Sequence, residues 1–299
     1  MRNRTLASAV VVSSLVGLVA ASAPAANASV ARRSEASPSY YVSLGDSYAI
    51  GYQPNRAVSK RFGYASVVTA AERRRGHRLT LVNFGCGGAT VGSVLTTPGC
   101  PQPALGGVSY PSVPQARAAT RFIAAHRGHI ALITISIGGN NLANCGAARD
   151  PLTCITAAIP SVARGITTLC RSVHAAAGGG VPIVGLTYPN VLLGAWVHHP
   201  TSKSMAALSV AAFKLVVNPV LERAYDDNGA TFVDVTAASG AYTPLYRTTT
   251  LQPFGRIPVA VADVCTYTWY CASGNIHPRT SGYRLIAKLI LAALPGQLR

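Results

Sequence analysis

Tyr40-Tyr41-Val42-Ser43-Leu44-Gly45-Asp46-Ser47-Tyr48-Ala49-Ile50-Gly51 is the stretch on which the reading of this chain turns. Tyr40 to Gly45 predicts a short apolar strand that stops abruptly at Gly45-Asp46-Ser47. In an open parallel sheet, ligands gather just past the carboxyl ends of the strands. A serine in a tight strand-to-helix turn presents its hydroxyl to that crevice. The helix N-terminus beside it offers free N–H groups to an anion. Taken alone, Asp46 or Ser47 reads equally well as a helix N-cap.

Further strands are predicted at Leu79–Phe84, Ile130–Ile137, Val181–Thr187 and Thr231–Val235. Ile130–Ile137 is an almost unbroken β-branched run, as in strands buried on both faces. Helical spacing covers 62–75, 115–126, 151–177, 202–227 and 278–294, with a break expected at Pro219. Strands alternating with helices imply a parallel sheet covered on both sides. The Gly- and Pro-rich segment 85–114 is long enough to suggest a functional loop. Residues 236–275 read as irregular.

The 299 residues are 49% apolar and 12% charged, which provides a core and argues against disorder. Residues 1–28 read as a secretion signal: Arg2 and Arg4, then Ala7 to Ala21, then Ala26-Asn27-Ala28 as the cleavage site. Residues 29–39 form a loose leader and 40–299 a single domain. Apart from the signal, no uninterrupted apolar run is long enough to span a bilayer, so no transmembrane anchor is expected and the mature chain is secreted. Removing Arg2 and Arg4 from 26 basic residues leaves 24 against 9 acids, a formal charge of +15. That charge suits electrostatic adsorption to anionic envelope surfaces. The basic residues are scattered and accompany no nucleic-acid motif, which argues against nucleic acid. A monomer is expected.

Seven cysteines in an exported chain suggest disulfides and one free thiol. Spacing favours Cys86–Cys100, Cys145–Cys154 and Cys265–Cys271, with Cys170 unpaired, although sequence allows other pairings. No metal-ligand spacing is present, and no cofactor is suggested.

Three features lie where loops leave strands or enter a helix. Gly85-Cys86-Gly87-Gly88-Ala89-Thr90 permits close backbone approach, so an N–H can point at a ligand oxygen. Gly138-Gly139-Asn140-Asn141 ends the most buried strand, where an Asn can aim its NH₂ into the crevice. Asn275-Ile276-His277-Pro278 opens the last helix. Each alone is an ordinary turn or a solvated histidine. Together they make a serine hydrolase centre. Ser47 is the nucleophile, His277 the base, and the N–H groups of Ser47 and Gly88 with the NH₂ of Asn140 form an oxyanion hole. G-x-S-x-G is absent, which disfavours the large α/β-hydrolase family.

These blocks resemble those of the GDSL, or SGNH, hydrolases, over essentially the whole predicted mature chain. Gly45-Asp46-Ser47 is similar to the first block, Gly88 to the glycine block, and Gly139-Asn140 to the asparagine block. His277-Pro278 with Gly282-Tyr283-Arg284 is similar to the histidine block. The resemblance implies a flavodoxin-like three-layer α/β/α fold with a mainly parallel central sheet, and metal-free ester hydrolysis. Cys145–Cys154 and the Cys265–Cys271 segment resemble the secreted bacterial esterases and lipases of that family.

The family's Asp three residues before the histidine is replaced here by Gly274. A backbone carbonyl near Gly274 is the first choice to orient His277, Asp263 the second and Asn275 the third. Asp46 is expected to be structural. The expected substrate is an acyl ester or a lipid, with segments 85–114 and 240–271 offered as the walls of an acyl pocket. A carbohydrate acetylesterase and an inactive envelope-binding protein are the alternatives.

Overall fold

Every residue of Ile130–Ser136 is buried, and this stretch forms the middle of the sheet. The computed structural model describes residues 39–54, 63–198, 202–294, 296 and 298. These belong to one compact unit, Ser37–Arg299. The signal segment 1–28, nearly all of the leader, Phe62 and His199 lie outside the described residues.

Five strands, β1 (Ser39–Gly45), β2 (Leu79–Asn83), β3 (Ile130–Ser136), β4 (Ile183–Leu186) and β5 (Thr231–Val233), pair in parallel in the order β2-β1-β3-β4-β5. Ser39, expected in the leader, already pairs with Leu79. The order is that of a flavodoxin-like sheet, whose direction of winding reverses between β1 and β3. Ligand crevices open at such a switch point.

The first half of the chain carries α1 (Ser47–Ile50), α2 (Tyr64–Arg74), α3 (Val91–Thr96), α4 (Gln115–Ala125), α5 (Gly139–Ala143) and α6 (Pro151–Ala177). The second carries α7 (Lys203–Ala212), α8 (Asn218–Asp226), α9 (Val235–Ala238), α10 (Val259–Tyr267), α11 (Tyr270–Ser273) and α12 (Thr280–Ala293). Alternation along the strands splits the core in two. Ile133 and Ile135 meet apolar side chains of α3, α4, α6 and α8 on one face. Leu132 meets those of α2 and α12 on the other.

Two regions differ from expectation. Between α7 and α8 the chain widens into a π turn, Phe213–Val217, and Pro219 sits in the first turn of α8. A proline ring clashes with the carbonyl four residues back, and the wider turn moves that carbonyl away. The segment read as irregular holds an antiparallel hairpin, β6 (Thr248–Leu251) and β7 (Gly255–Pro258), as well as α10 and α11. Their apolar side chains, with Leu193, make a third small core. Two rods, Pro151–Ala177 and Lys203–Asp226, are long and apolar enough to cross a membrane, but each buries residues in the fold.

Candidate active site

Gly45 pairs with Ser136, so β1 and β3 end side by side at the switch point. Gly45 has φ +136°, and a Cβ there would collide with the Ser136 carbonyl oxygen, so glycine is required. Gln115 at the start of α4 fixes this end. Its Oε1 accepts the Gly45 N–H at 2.8 Å and its Nε2 donates to the Gly45 carbonyl at 3.0 Å. Asp46 then caps α1, accepting the Tyr48 N–H at 2.9 Å. Its other oxygen accepts the Tyr188 hydroxyl at 2.6 Å. Burial pushes the Asp46 carboxyl up to about 7, against the hydrogen bonds from Tyr188, Tyr48 and its own backbone that favour its charge. Ser47 starts α1, and its N–H has no partner among the described residues.

The glycine and asparagine segments are tied together. Asn140 donates from Nδ2 to the Ala89 carbonyl at 2.8 Å, and Asn141 Oδ1 accepts the Val91 N–H at 3.0 Å. Gly88 has φ +76°, is exposed, and its N–H has no partner among the described residues. One N–H of the Asn140 amide is thus engaged, leaving its second hydrogen.

His277 arrives from the other end of the chain. Its Nε2 lies 2.8 Å from Ser47 Oγ. Its Nδ1 lies 2.8 Å from Asn275 Oδ1, which also accepts the His277 backbone N–H at 3.0 Å. A backbone N–H can only donate, so that Asn275 atom is the amide oxygen. Nδ1 must therefore carry the proton and Nε2 is left to accept from Ser47. Burial lowers the His277 pKa to about 4, so the ring is neutral near pH 7.

The ranking of orienting groups is therefore corrected. Gly274 is the left-handed cap of α11, with its N–H on the Tyr270 carbonyl. Asp263 packs against Gly240. Asn275 closes an Asx turn onto the residue two positions on, which brings its oxygen to the backbone N–H and to Nδ1 of His277.

The three disulfides are Cys86–Cys100, Cys145–Cys154 and Cys265–Cys271, and Cys170 is free and buried. Within the last ring, Trp269 N–H donates to the His277 carbonyl at 3.0 Å, and the Tyr267 carbonyl accepts the Arg279 N–H at 2.8 Å.

A cavity of about 240 Å³ opens beside Ser47 and Asn140, with Leu142, Ile155, Leu192, Phe213, Tyr270 and Ile276 among its walls. Of the two segments expected to form it, Tyr270 takes part and residues 85–114 do not. Helices α5 and α6, the turn Val191–Val197 and Phe213 supply further wall, as do Tyr48, Tyr188, Pro189 and Ile276. Gln115, Tyr48 and Tyr188 were also not singled out. The apolar run Val191-Leu192-Leu193 was the visible signal for the wall.

Residues 43–285 match the family model of the GDSL-like lipases and acylhydrolases. The chain belongs to that family. Two solved structures similar to this GDSL protein are a phospholipase A1 from Streptomyces albidoflavus NA297 and the lipase Lip_vut3 from a goat rumen metagenome. The first is 16% identical with TM-score 0.56, covering 86% of this chain and 100% of that one. The second is 13% identical with TM-score 0.51, covering 87% and 100%. At such identities the likeness is one of fold, the three-layer α/β/α arrangement. No curated protein matches the GDSL chain by sequence.

Proposed function

We propose that this protein is a secreted serine ester hydrolase acting on acyl esters or lipids. The observation that carries the reading is the relay Ser47 Oγ, His277 Nε2, His277 Nδ1, Asn275 Oδ1, with both links at 2.8 Å, beside a mainly apolar cavity. Ser47 Oγ attacks the ester carbonyl carbon while its proton passes to Nε2. The carbonyl oxygen becomes an oxyanion, held by the N–H groups of Ser47 and Gly88 and the free N–H of Asn140. Each such donor is worth on the order of 10²–10³ in rate. As the intermediate collapses, Nε2 returns the proton to the departing alkoxide. Water then repeats the sequence on the acyl-serine and releases the acid. The depressed His277 pKa keeps Nε2 available as a base at neutral pH. Three disulfides suit an oxidising compartment, in keeping with export.

Hydrolysis of p-nitrophenyl acetate, butyrate and palmitate by the wild type and by Ser47→Ala tests the reading. Turnover should rise from acetate to butyrate, since each buried CH₂ contributes about 0.8 kcal/mol. Ser47→Ala should lose on the order of 10⁴-fold or more. Turnover of acetate alone would move the assignment to a deacetylase. No Ser47-dependent turnover on any ester would leave a binding protein.

A further inference from the structure

Among the described residues, four large hydrophobic side chains are exposed, and two of them share one helical rod: Leu208 at 56% and Leu215 at 71%. Both sit on α7 and the π turn that follows it. Lys203, Ala207, Leu208 and Ala211 are exposed along α7, and Lys214 and Leu215 are exposed on the wider turn that follows. The opposite side of the rod, with Ala206, Phe213 and Val217, is buried.

No Asp or Glu occurs in the sequence between Asp150 and Glu222. Asp234 comes in from the end of β5, where its carboxylate accepts from Asn218 at 2.7 Å. Lys203 and Lys214 rest over the rings of Trp196 and Tyr242 at 5.5 and 5.7 Å, and no carboxylate pairs with either among the described residues. The same rod sends Phe213 into the cavity beside Ser47.

We propose that this face docks the protein on an anionic lipid bilayer. The two leucines enter the acyl boundary and the two lysines meet the headgroup phosphates, as in helices that lie in a membrane interface. A second copy of the chain is a poorer occupant, because a two-fold contact through so narrow a face brings the lysines of both copies close together.

Co-sedimentation with vesicles of phosphatidylcholine, with and without phosphatidylglycerol, tests this on the full chain carrying Ser47→Ala, so that no lipid is consumed. Binding is expected to the phosphatidylglycerol vesicles. Leu208→Ser/Leu215→Ser and Lys203→Gln/Lys214→Gln should each weaken it by about tenfold or more. Arg117→Gln/Arg121→Gln removes two exposed charges from α4 and should leave it unchanged. The same surface substitutions with Ser47 intact should keep wild-type turnover of p-nitrophenyl acetate, which reports that they fold. Absence of binding overturns the proposal, as does an equal loss with the α4 pair or wild-type binding by the leucine pair. A shift from dimer to monomer in the leucine pair would reassign the face to self-association. Vesicle binding is read without turnover, so a failed esterase assay and a failed docking assay are separate results.

Discussion

The Ser47 turn and the His277 loop approach to 2.8 Å, yet they are secured by different means. Ser47 follows a strand paired on both sides, and the side-chain amide of Gln115 grips the backbone of the last residue of that strand. His277 lies on a loop between two helices. It is held by the Asn275 side chain, by Trp269 N–H, and by the chain that Cys265–Cys271 closes. The position of the Ser47 hydroxyl is thus a property of sheet register. The position of the His277 ring is a property of a few side chains and one cross-link. Perturbations should separate the two halves.

The largest expected separation is at Asn275. Its bond to Nδ1 becomes charge-assisted once the imidazolium forms, a bond worth about 1.5–3 kcal/mol. Asn275→Ala should therefore lower kcat roughly 10- to 100-fold. Asp263→Ala should stay near wild type, because that carboxylate packs against Gly240. The reverse ranking would show that the loop is held otherwise. Titration of the same imidazole sets the pH profile. The rate needs neutral Nε2, so wild-type kcat/KM should hold as pH falls and drop only through about 4. Asn275→Asp places a carboxylate on Nδ1, favours the imidazolium, and should move that acid limb to higher pH. An unmoved limb would mean that another group titrates.

The disulfides sharpen the contrast next. Cys265–Cys271 spans 6 residues and Cys86–Cys100 spans 14. Loop entropy gives about 2 and about 3 kcal/mol of stability, respectively. Activity should rank the other way. Cys265→Ser/Cys271→Ser loosens the chain that carries the His277 carbonyl contact, and a displaced base costs roughly tenfold in kcat. Cys86→Ser/Cys100→Ser should lower the melting temperature further but spare kcat. Asn140 and Asn141 hold the glycine loop independently, through the Ala89 carbonyl and the Val91 N–H. Paired denaturation and turnover measurements read both orders, and a common order would erase the distinction.

The same division explains what the sequence made legible. Alternating strands and helices specify a parallel sheet, and motifs at strand ends then fall at the switch point by topology. Hence the placement of Ser47 and Asn140 just past the ends of β1 and β3 follows from local patterns. Asn275 was ranked last because an amide was weighed by charge against a carboxylate. The available signal was positional: an Asn two residues before the histidine invites an Asx turn. Phe213 was hidden because a π turn breaks the 3.6-residue period on which a face is read. In α10, Val259-Ala260-Val261-Ala262-Asp263-Val264 is apolar without helical rhythm, so only packing against Leu193 and Ile257 reveals the helix.

The smallest expected effect lies where the two halves touch through a third residue. Tyr48 follows Ser47 directly, and its hydroxyl donates to the Ile276 carbonyl at 2.7 Å, one residue before His277. Its ring meets Tyr188 edge-on at 4.8 Å and also walls the cavity. Tyr48→Phe keeps the ring and removes the hydroxyl. The lost hydrogen bond is worth about 1 kcal/mol, or roughly fivefold in kcat. KM for a butyrate ester should hold, since the cavity wall is unchanged. Combined with Asn275→Ala, the loss should be less than the product of the two single losses, because both substitutions free the same histidine. A fully multiplicative double variant would mean that the tyrosine acts on Ser47 alone and does not bind the sheet-built half of the site to the loop-built half.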